Sequence, residues 1–392
     1  MPKKYIYSVI IVIAIGLFAA FLAINNHKLG PKFFDSAGAL QAESPGASQL
    51  GGFVRARVVS VDDESDIENS HLNSYTQTLT MRLLTGDSQG QTLHGIQYET
   101  ANRRQKLKTG DTVVAAKIPD PRNNNGSPYV IVDQYRLPYI AVIVALFLLL
   151  AIVFGRIRGV TALVGLAFSL FMLVYFIAPH ILEGQNPVIV SLVGSAIIAI
   201  VSIFLAHGFN RRTSLAVVAT LVTLGLAQGL AFAAVHYSRL FGNGSEEAYL
   251  LQIGTLGAFN LQGILLGSII IGTLGVLDDV TTGQTVAVAE LHLANPKLAF
   301  KELYKKAMVI GREHIASLIN TLVLAYAGAF FPLFLLIVLS NTQPVWTILN
   351  SEFISEEIVR TLVGSIALVL AVPLSTLLAA YYFSGHKDSV AD

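Results

Sequence analysis

The chain has 392 residues, of which 53% are hydrophobic and only 13% are charged. A soluble globular protein carries about 25% charged residues, so this composition is typical of a protein that crosses a membrane several times. The formal net charge of +1 gives no basic field for nucleic acid, and the absence of cysteine excludes disulfides, thiolate metal sites and a cysteine nucleophile.

Eight apolar segments are each long enough to span a bilayer, which requires about 20 mainly apolar residues in a helix. The sequence therefore predicts an all-α membrane bundle of about eight helices, with an N-terminal anchor at 1–25, seven helices within 137–384 and a tail at 385–392. The first segment could instead be a cleaved signal peptide, but its length favours an uncleaved anchor. The eight segments are 5–24, 138–155, 159–178, 187–206, 214–236, 254–277, 315–339 and 359–383.

An insert of different character lies between the first two segments. Residues 26–50 are rich in Gly, Ala, Ser and Pro, which is typical of a linker, and residues 51–136 contain five short runs with strand character. Five strands in a segment of this length predict a small all-β domain of the OB type. The insert 26–136 holds 12 basic and 12 acidic residues. This balance argues against nucleic acid and leaves a structural role or the binding of an envelope protein.

Lysine and arginine are distributed unequally around the eight segments. Outside the insert the chain has 14 basic residues, and twelve of them fall on one side if the helices alternate in direction. Because cytoplasmic loops carry the excess of Lys and Arg, both termini are predicted in the cytoplasm and residues 26–136 outside. An exported domain without disulfides is compatible with a bacterial envelope, so we expect a multi-pass protein of the bacterial cytoplasmic membrane.

Polar residues concentrate after the glycine-rich sixth segment. The run GVLDDVTTGQ places Asp278 and Asp279 where that helix is predicted to end on the cytoplasmic side, and Gln284 and Glu290 follow. Ionisable residues in a membrane segment are costly and commonly mark a substrate or ion pathway. Residues 278–296 are too short to span, so they are predicted either to lie on the membrane surface or to re-enter the protein.

The next helix carries further polar residues as it enters the membrane, so that 278–313 forms a polar cytoplasmic segment. Arg312 and Asn320 lie on one face, and Asn320 is deep enough to need a partner inside the bundle. Since the aspartates and Arg312 are predicted at the same side, Asp278 or Asp279 is expected to pair with Arg312. Such a pair would be either a clamp of helix ends or part of a gate or ion site.

No enzyme motif accompanies these residues. The sequence contains no HExxH, GxxxxGK[ST] or GxSxG motif. Adjacent aspartates on a helix point about 100° apart, which disfavours a pair that shares a proton. A metal site from Asp278, Asp279, Glu290 and His292 would match no recurrent ligand spacing. We therefore predict no catalytic residue, no metal and no cofactor.

Three stretches, GTLGVLDDVTTGQ, AVAEL with Asn295-Pro296, and GREHIASLINTLVLAYAG, together resemble the YibE/F-like family of bacterial multi-pass membrane proteins. The resemblance implies an N-terminal span, an exported β-rich domain and then a helical bundle, and it implies a motif region without defining an activity. His314 departs from the family pattern, which has an aspartate soon after the Gly-Arg pair. The matching residues are Asp278, Asp279, Glu290, Gly311, Arg312, Asn320, Thr321, Leu322 and Tyr326.

These features favour a transporter or permease with an ion or small molecule as substrate. The alternative is a non-transporting scaffold or signalling subunit, held in the lipid bilayer, whose outer domain 51–136 binds an envelope partner. An intramembrane enzyme is a third and weaker interpretation. No internal repeat is evident, although many secondary transporters have one. The predicted pathway residues are Asp278, Asp279, Gln284, Glu290, Arg312, Asn320 and Tyr326.

Overall fold

A computed structural model describes residues 52–69, 72–100, 105–118, 128–254, 259–339 and 344–385. Within this part of the chain there are two compact units, which divide between Leu149 and Leu150. The predicted first helix, the linker 26–50 and all of the tail beyond residue 385 lie outside the described residues, so their predictions stand as expectations.

The first unit contains a curled antiparallel sheet in the order β3-β2-β1-β4-β5. The five strands coincide with the five runs that the sequence predicts, because alternation places one face of each strand in a common core. Ala56 on β1 and Leu79 and Met81 on β2 are completely buried there. The strands are β1 Phe53–Asn69, β2 Leu72–Leu83, β3 Thr92–Thr100, β4 Thr112–Lys117 and β5 Tyr129–Gln134.

Glu64 on β1 is held by groups on neighbouring parts of the sheet. Its carboxylate accepts hydrogen bonds from Lys106 Nζ at 2.7 Å and from Gln77 Nε2 at 3.0 Å. The contact from Lys106, then a hydrogen bond with Tyr75 and the smaller one from Gln77, lower the pKa of Glu64 to about 2 from its ordinary 4.5. Since the folded pKa lies below the unfolded one, the contribution to stability is present above the unfolded pKa and is lost as the pH falls through the folded pKa.

We expect Glu64→Gln to reduce the hydrogen-exchange protection of β1 and β2 at neutral pH. The difference from the parent should shrink as the pH falls from 4.5 to about 2, because neutral Glu64 then resembles glutamine. Because the parent and Glu64→Gln are compared at the same pH, the pH dependence of the intrinsic exchange rate cancels from their difference. Asp62 and Asp133, whose pKa values their hydrogen bonds also lower, act equally in both proteins. A difference that stayed constant down to pH 2 would contradict the role of Glu64.

The helical region contains six helices within the described residues that are long and apolar enough to cross a membrane. Three shorter helices lie between or beside them. The helices are α1 Leu137–Met172, which continues through a π-helical turn Leu173–Ile177 and a short helix Ala178–Leu182, α2 Pro187–His207, α3 Arg211–Tyr237, α4 Glu246–Gly254, α5 Leu261–Ala294, α6 Phe300–Ala329, α7 Phe331–Leu339, α8 Val345–Leu349 and α9 Glu352–Gly385.

The 46-residue stretch Leu137–Leu182 is interrupted at Arg156, where φ is 52° and ψ is −134°. Beyond this residue the chain returns against itself, since a Cβ atom on Gly159 would overlap the carbonyl oxygen of Ala151. In an unbroken helix these two residues would be about 12 Å apart along the axis. The interruption lies at the junction of two segments that the sequence predicts as separate spans.

Helix α5 departs most from the sequence prediction. It begins later than predicted because Asn260 caps its first turn, accepting a hydrogen bond from Gly263 N at 2.9 Å. It also continues through the aspartates to Ala294, so residues 278–294 extend the same helix and do not form a separate segment. The continuation is stable because residues such as Val280 and Val288 are buried against neighbouring helices. Its 34 residues extend about 51 Å, well beyond a hydrocarbon core of about 30 Å.

Helix α5 lies at the centre of the second unit and packs against α2, α3, α6 and α9. Leu277 and Val280 are in one core cluster with Ile198 of α2 and Leu368 of α9. Because protein surrounds α5 on several sides, its polar side chains can find partners that lipid would not supply.

Candidate functional site

Asp278 faces a cavity of about 370 Å³ between α1, α2 and α5. Among the described residues its Oδ1 atom is enclosed and has no hydrogen-bond partner. The other polar side chains of the wall are the hydroxyls of Ser169 and Ser202. A carboxylate oxygen that is enclosed without a partner costs free energy unless the group binds a proton or a cation. The apolar part of the wall is Ala162, Gly165, Leu166, Leu170, Leu173, Ile198, Ala206, Ile271, Leu274 and Gly275.

A second, more polar cavity of about 280 Å³ lies beside the same part of α5. Arg158, His207, Arg212 and Glu290 contribute to its wall, and Arg212 Nη1 donates to Glu290 Oε1 at 2.7 Å. Thr282 lines this second cavity, and its hydroxyl donates to the backbone oxygen of Asp278, one turn earlier, at 2.7 Å. Helix α5 therefore presents one polar turn to both cavities.

The two adjacent aspartates have different surroundings, as their offset on the helix requires. Asp278 is half-buried and faces the apolar cavity, whereas Asp279 is exposed. The imidazole of His207 lies within electrostatic range of both Asp279 and Arg158. Asp279 therefore belongs with the charged end of the bundle, and Asp278 belongs with its interior.

Gln284 and Thr281 join α5 to three other helices. The Gln284 side chain is fully buried, and its Nε2 donates to the Ala307 carbonyl oxygen of α6 at 3.0 Å and to Thr376 Oγ1 of α9 at 2.8 Å. Its Oε1 atom has no partner among the described residues. The Thr281 hydroxyl lies 2.6 Å from that of Thr220 on α3. This polar row holds the centre of the bundle together beside Asp278.

The structure does not form the predicted ion pair between the aspartates and Arg312. Arg312 is exposed, and its Nε donates to the Met308 carbonyl oxygen within α6. The reason is the antiparallel register of α5 and α6, in which His314 lies against Gly283 and Tyr326 against Gly272. Arg312 is consequently level with residue 285, about 10 Å along the axis from Asp278.

The remaining predicted residues are divided between the interior and the surface. Tyr326 is half-buried, with its hydroxyl 3.5 Å from the position that a Cβ on Gly272 would take. Asn320, which the sequence places inside the bundle, is exposed on α6 and makes no hydrogen bond in the described part of the chain. Of the seven candidates, Asp278, Gln284 and Tyr326 face the bundle, Glu290 lines the polar cavity, and Asp279, Arg312 and Asn320 are exposed.

Sequence reasoning missed several residues at both ends of the bundle. Arg158 and Arg212 enter the sequence prediction only as two of the twelve basic residues on one side, although they line the polar cavity. At the opposite end, Glu352 accepts a hydrogen bond from the backbone N–H of Phe241 at 2.6 Å, and Glu356 accepts one from Gly244 N at 3.0 Å. The sequence does contain a signal for this contact, because Glu352 and Glu356 are one helical turn apart. Carboxylates in the first turns of a helix commonly bind backbone N–H groups.

Helices long enough to cross a membrane, with polar side chains enclosed between them, define a multi-pass membrane protein. Comparison with protein families matches residues 143–385 to the family described as YibE/F-like protein. The matched range is well over half of the chain and includes the whole polar region, so the chain belongs to the YibE/F-like family, as its motifs predict. Neither the curated proteins nor the solved structures gave a match.

Proposed function

We propose that the protein is a transporter or permease of the bacterial cytoplasmic membrane, with a pathway that passes Asp278. The observation that carries this proposal is the Oδ1 atom of Asp278, enclosed at the apolar cavity without a partner among the described residues. An ionisable group inside a bundle that serves no structural ion pair is a common sign of an ion or substrate pathway. Glu290 differs, since its carboxylate is paired with Arg212.

The proposed topology has eight helices, both termini in the cytoplasm and the sheet outside. The interruption at Arg156 supports two spans within Leu137–Leu182. The location of Arg158 and Arg212 at one end of the bundle, around a common cavity, supports a cytoplasmic orientation of that end. An OB-type barrel is supported by the strand order, because β3 and β5 at the two sheet edges also contact each other.

A ligand-stability screen of the purified protein tests the site. Inorganic cations and a panel of small metabolites are compared on the parent, on Asp278→Asn and on Asp279→Asn. We expect a ligand of the pathway to raise the melting temperature of the parent and of Asp279→Asn but not that of Asp278→Asn. A ligand at 100 times its Kd adds about 2.7 kcal/mol of stability, which such a scan resolves. An equal shift in all three proteins would contradict the role of Asp278.

A non-transporting scaffold or signalling subunit is the second candidate. It is favoured by the acidic run on β1, where Asp62 and Asp63 are exposed and would face a basic envelope protein. Deletion of residues 26–136 separates the two functions. A permease is expected to retain flux without the insert, whereas a scaffold should lose its partner and its cellular function together.

A further inference from the structure

One face of α6 is unlike the lipid-facing surface of an ordinary membrane helix. Every residue along it is exposed, yet it carries an amide and a charge as well as apolar groups. The opposite face of α6 packs Ile315, Leu318 and Leu322 against the bundle core, so the polar face points away from the protein. The residues in question, which we call the α6 seam, are Val309, Glu313, Ala316, Asn320 and Val323.

The spacing of the α6 seam is that of a helix–helix contact. Its members alternate at intervals of four and three residues, which is the pattern by which two helices pack along a common line. Asn320 is level with Leu277 of α5, next to Asp278, because Tyr326 and His314 fix the register of the two helices. An amide that faces lipid has no water to bond, and its exposure there is unfavourable.

We propose that the α6 seam is the interface of a parallel homodimer of this protein. Two copies with the same orientation in one membrane are related by a two-fold axis along the membrane normal, so residues of equal depth meet. Asn320 then faces Asn320 of the second copy, and an amide both donates and accepts hydrogen bonds. A single asparagine at such a position also fixes the register and the oligomeric state of paired helices.

The charges at the cytoplasmic end of the seam complement those of a second copy. In parallel packing a seam residue fits into a hole formed by four residues of the facing helix, and the residue that precedes the equivalent position belongs to that hole. Glu313 of each copy therefore meets Arg312 of the other, which gives two symmetric ion pairs. Within the described residues, neither side chain has an ion-pair partner in its own chain.

The N-terminal segment is a less suitable occupant of this face. Residues 5–24 contain no amide and no charged side chain. Lys3 and Lys4 directly precede them and offer Glu313 a cation, but the segment has no amide to match Asn320. A second copy supplies the amide as well as the cation, at the required depths.

Cross-linking in native membranes tests the interface, because the parent chain has no cysteine. Val323→Cys leaves Asn320 in place, and Val323 is 44% exposed on the α6 seam. Leu226→Cys is the matched control, since Leu226 is 49% exposed on α3 and lies at a similar depth according to the contact of Thr220 with Thr281. Oxidation is expected to give a disulfide-linked dimer with Val323→Cys and not with Leu226→Cys.

Adding Asn320→Leu to Val323→Cys should lower the cross-linked fraction about fivefold or more, the effect of losing one interhelical polar contact in a membrane. Since Asn320 is exposed, this change should leave the monomer folded, and size-exclusion chromatography checks that it does. Equal cross-linking of Val323→Cys and Leu226→Cys would overturn the proposal. So would an intramolecular disulfide between Ser8→Cys and Val323→Cys, which would show that the N-terminal helix covers the face instead.

Discussion

Asp278→Asn is expected to reduce ion flux through the reconstituted protein to the level of empty vesicles, a loss of about tenfold or more. Tenfold corresponds to about 1.4 kcal/mol, and removing the one ionisable group among the described residues of the apolar cavity should exceed that figure. Asparagine has nearly the same volume as aspartate, and the backbone oxygen of Asp278 that accepts from Thr282 is retained. The loss should therefore reflect the missing charge rather than a damaged bundle.

Proteoliposomes loaded with a dye that is selective for the ion under test provide the measurement, with imposed gradients of protons, Na⁺ or K⁺ as the probes. Asp279→Asn is the matched control because it removes a neighbouring carboxylate that is exposed and does not face the apolar cavity. We expect this control to retain most of the parent's rate. Undiminished flux in Asp278→Asn would exclude this carboxyl group from the pathway, and no flux of any probe through the parent would exclude these three ions as substrates.

The membrane-spanning helices could be predicted from the length and hydropathy of their segments. The reason is that a lone helix in lipid must make all the hydrogen bonds of its backbone within itself. The segments predicted at 187–206 and 214–236 match α2 and α3 within a few residues. The five strands were equally readable, since alternation is a local property of the chain. Family motifs added the location of the polar region, and the matched range 143–385 confirms the family.

The extent of α5 could not be predicted in this way. Two aspartates end an apolar run, and an isolated helix would leave the membrane at that point. In the folded protein, α3, α6 and α9 provide partners for Thr281 and Gln284, so the helix continues into Ala294. Whether a polar side chain on a helix has a partner depends on neighbours that are distant in sequence, and periodicity gives no information about them.

The positions of Arg312 and Asn320 required the register of two helices. The sequence showed that both belong to one face of α6, which is correct, but it could not show which face meets the bundle. The face with Ile315 and Leu318 does so because its side chains fill the apolar core. Arg312 then lies about 10 Å from Asp278 along the axis of α5, so the ion pair that the sequence predicts does not form.

Gly311→Ala is expected to destabilise the bundle by about 1 to 3 kcal/mol, the usual cost of overfilling a packed site. Gly311 is buried where α6 meets α5 and α9. A Cβ atom there would overlap Val372 Cγ1 and would lie 3.0 Å from Gln284 Nε2. The substitution should therefore also disturb the hydrogen bonds from Gln284 to Ala307 and Thr376. Gly311→Val should have a larger effect, because a branched side chain enlarges both overlaps.

Gly328→Ala provides the control on the same helix, since a Cβ atom at Gly328 meets nothing within 4 Å. Alanine favours a helix over glycine by about 0.5 to 1 kcal/mol, so this variant should be as stable as the parent or slightly more stable. Thermal unfolding of the detergent-solubilised protein distinguishes the two substitutions. If Gly311→Ala had the same melting temperature as Gly328→Ala, α6 would have room to move away from Val372. Close packing of the three helices would then not require a glycine at position 311.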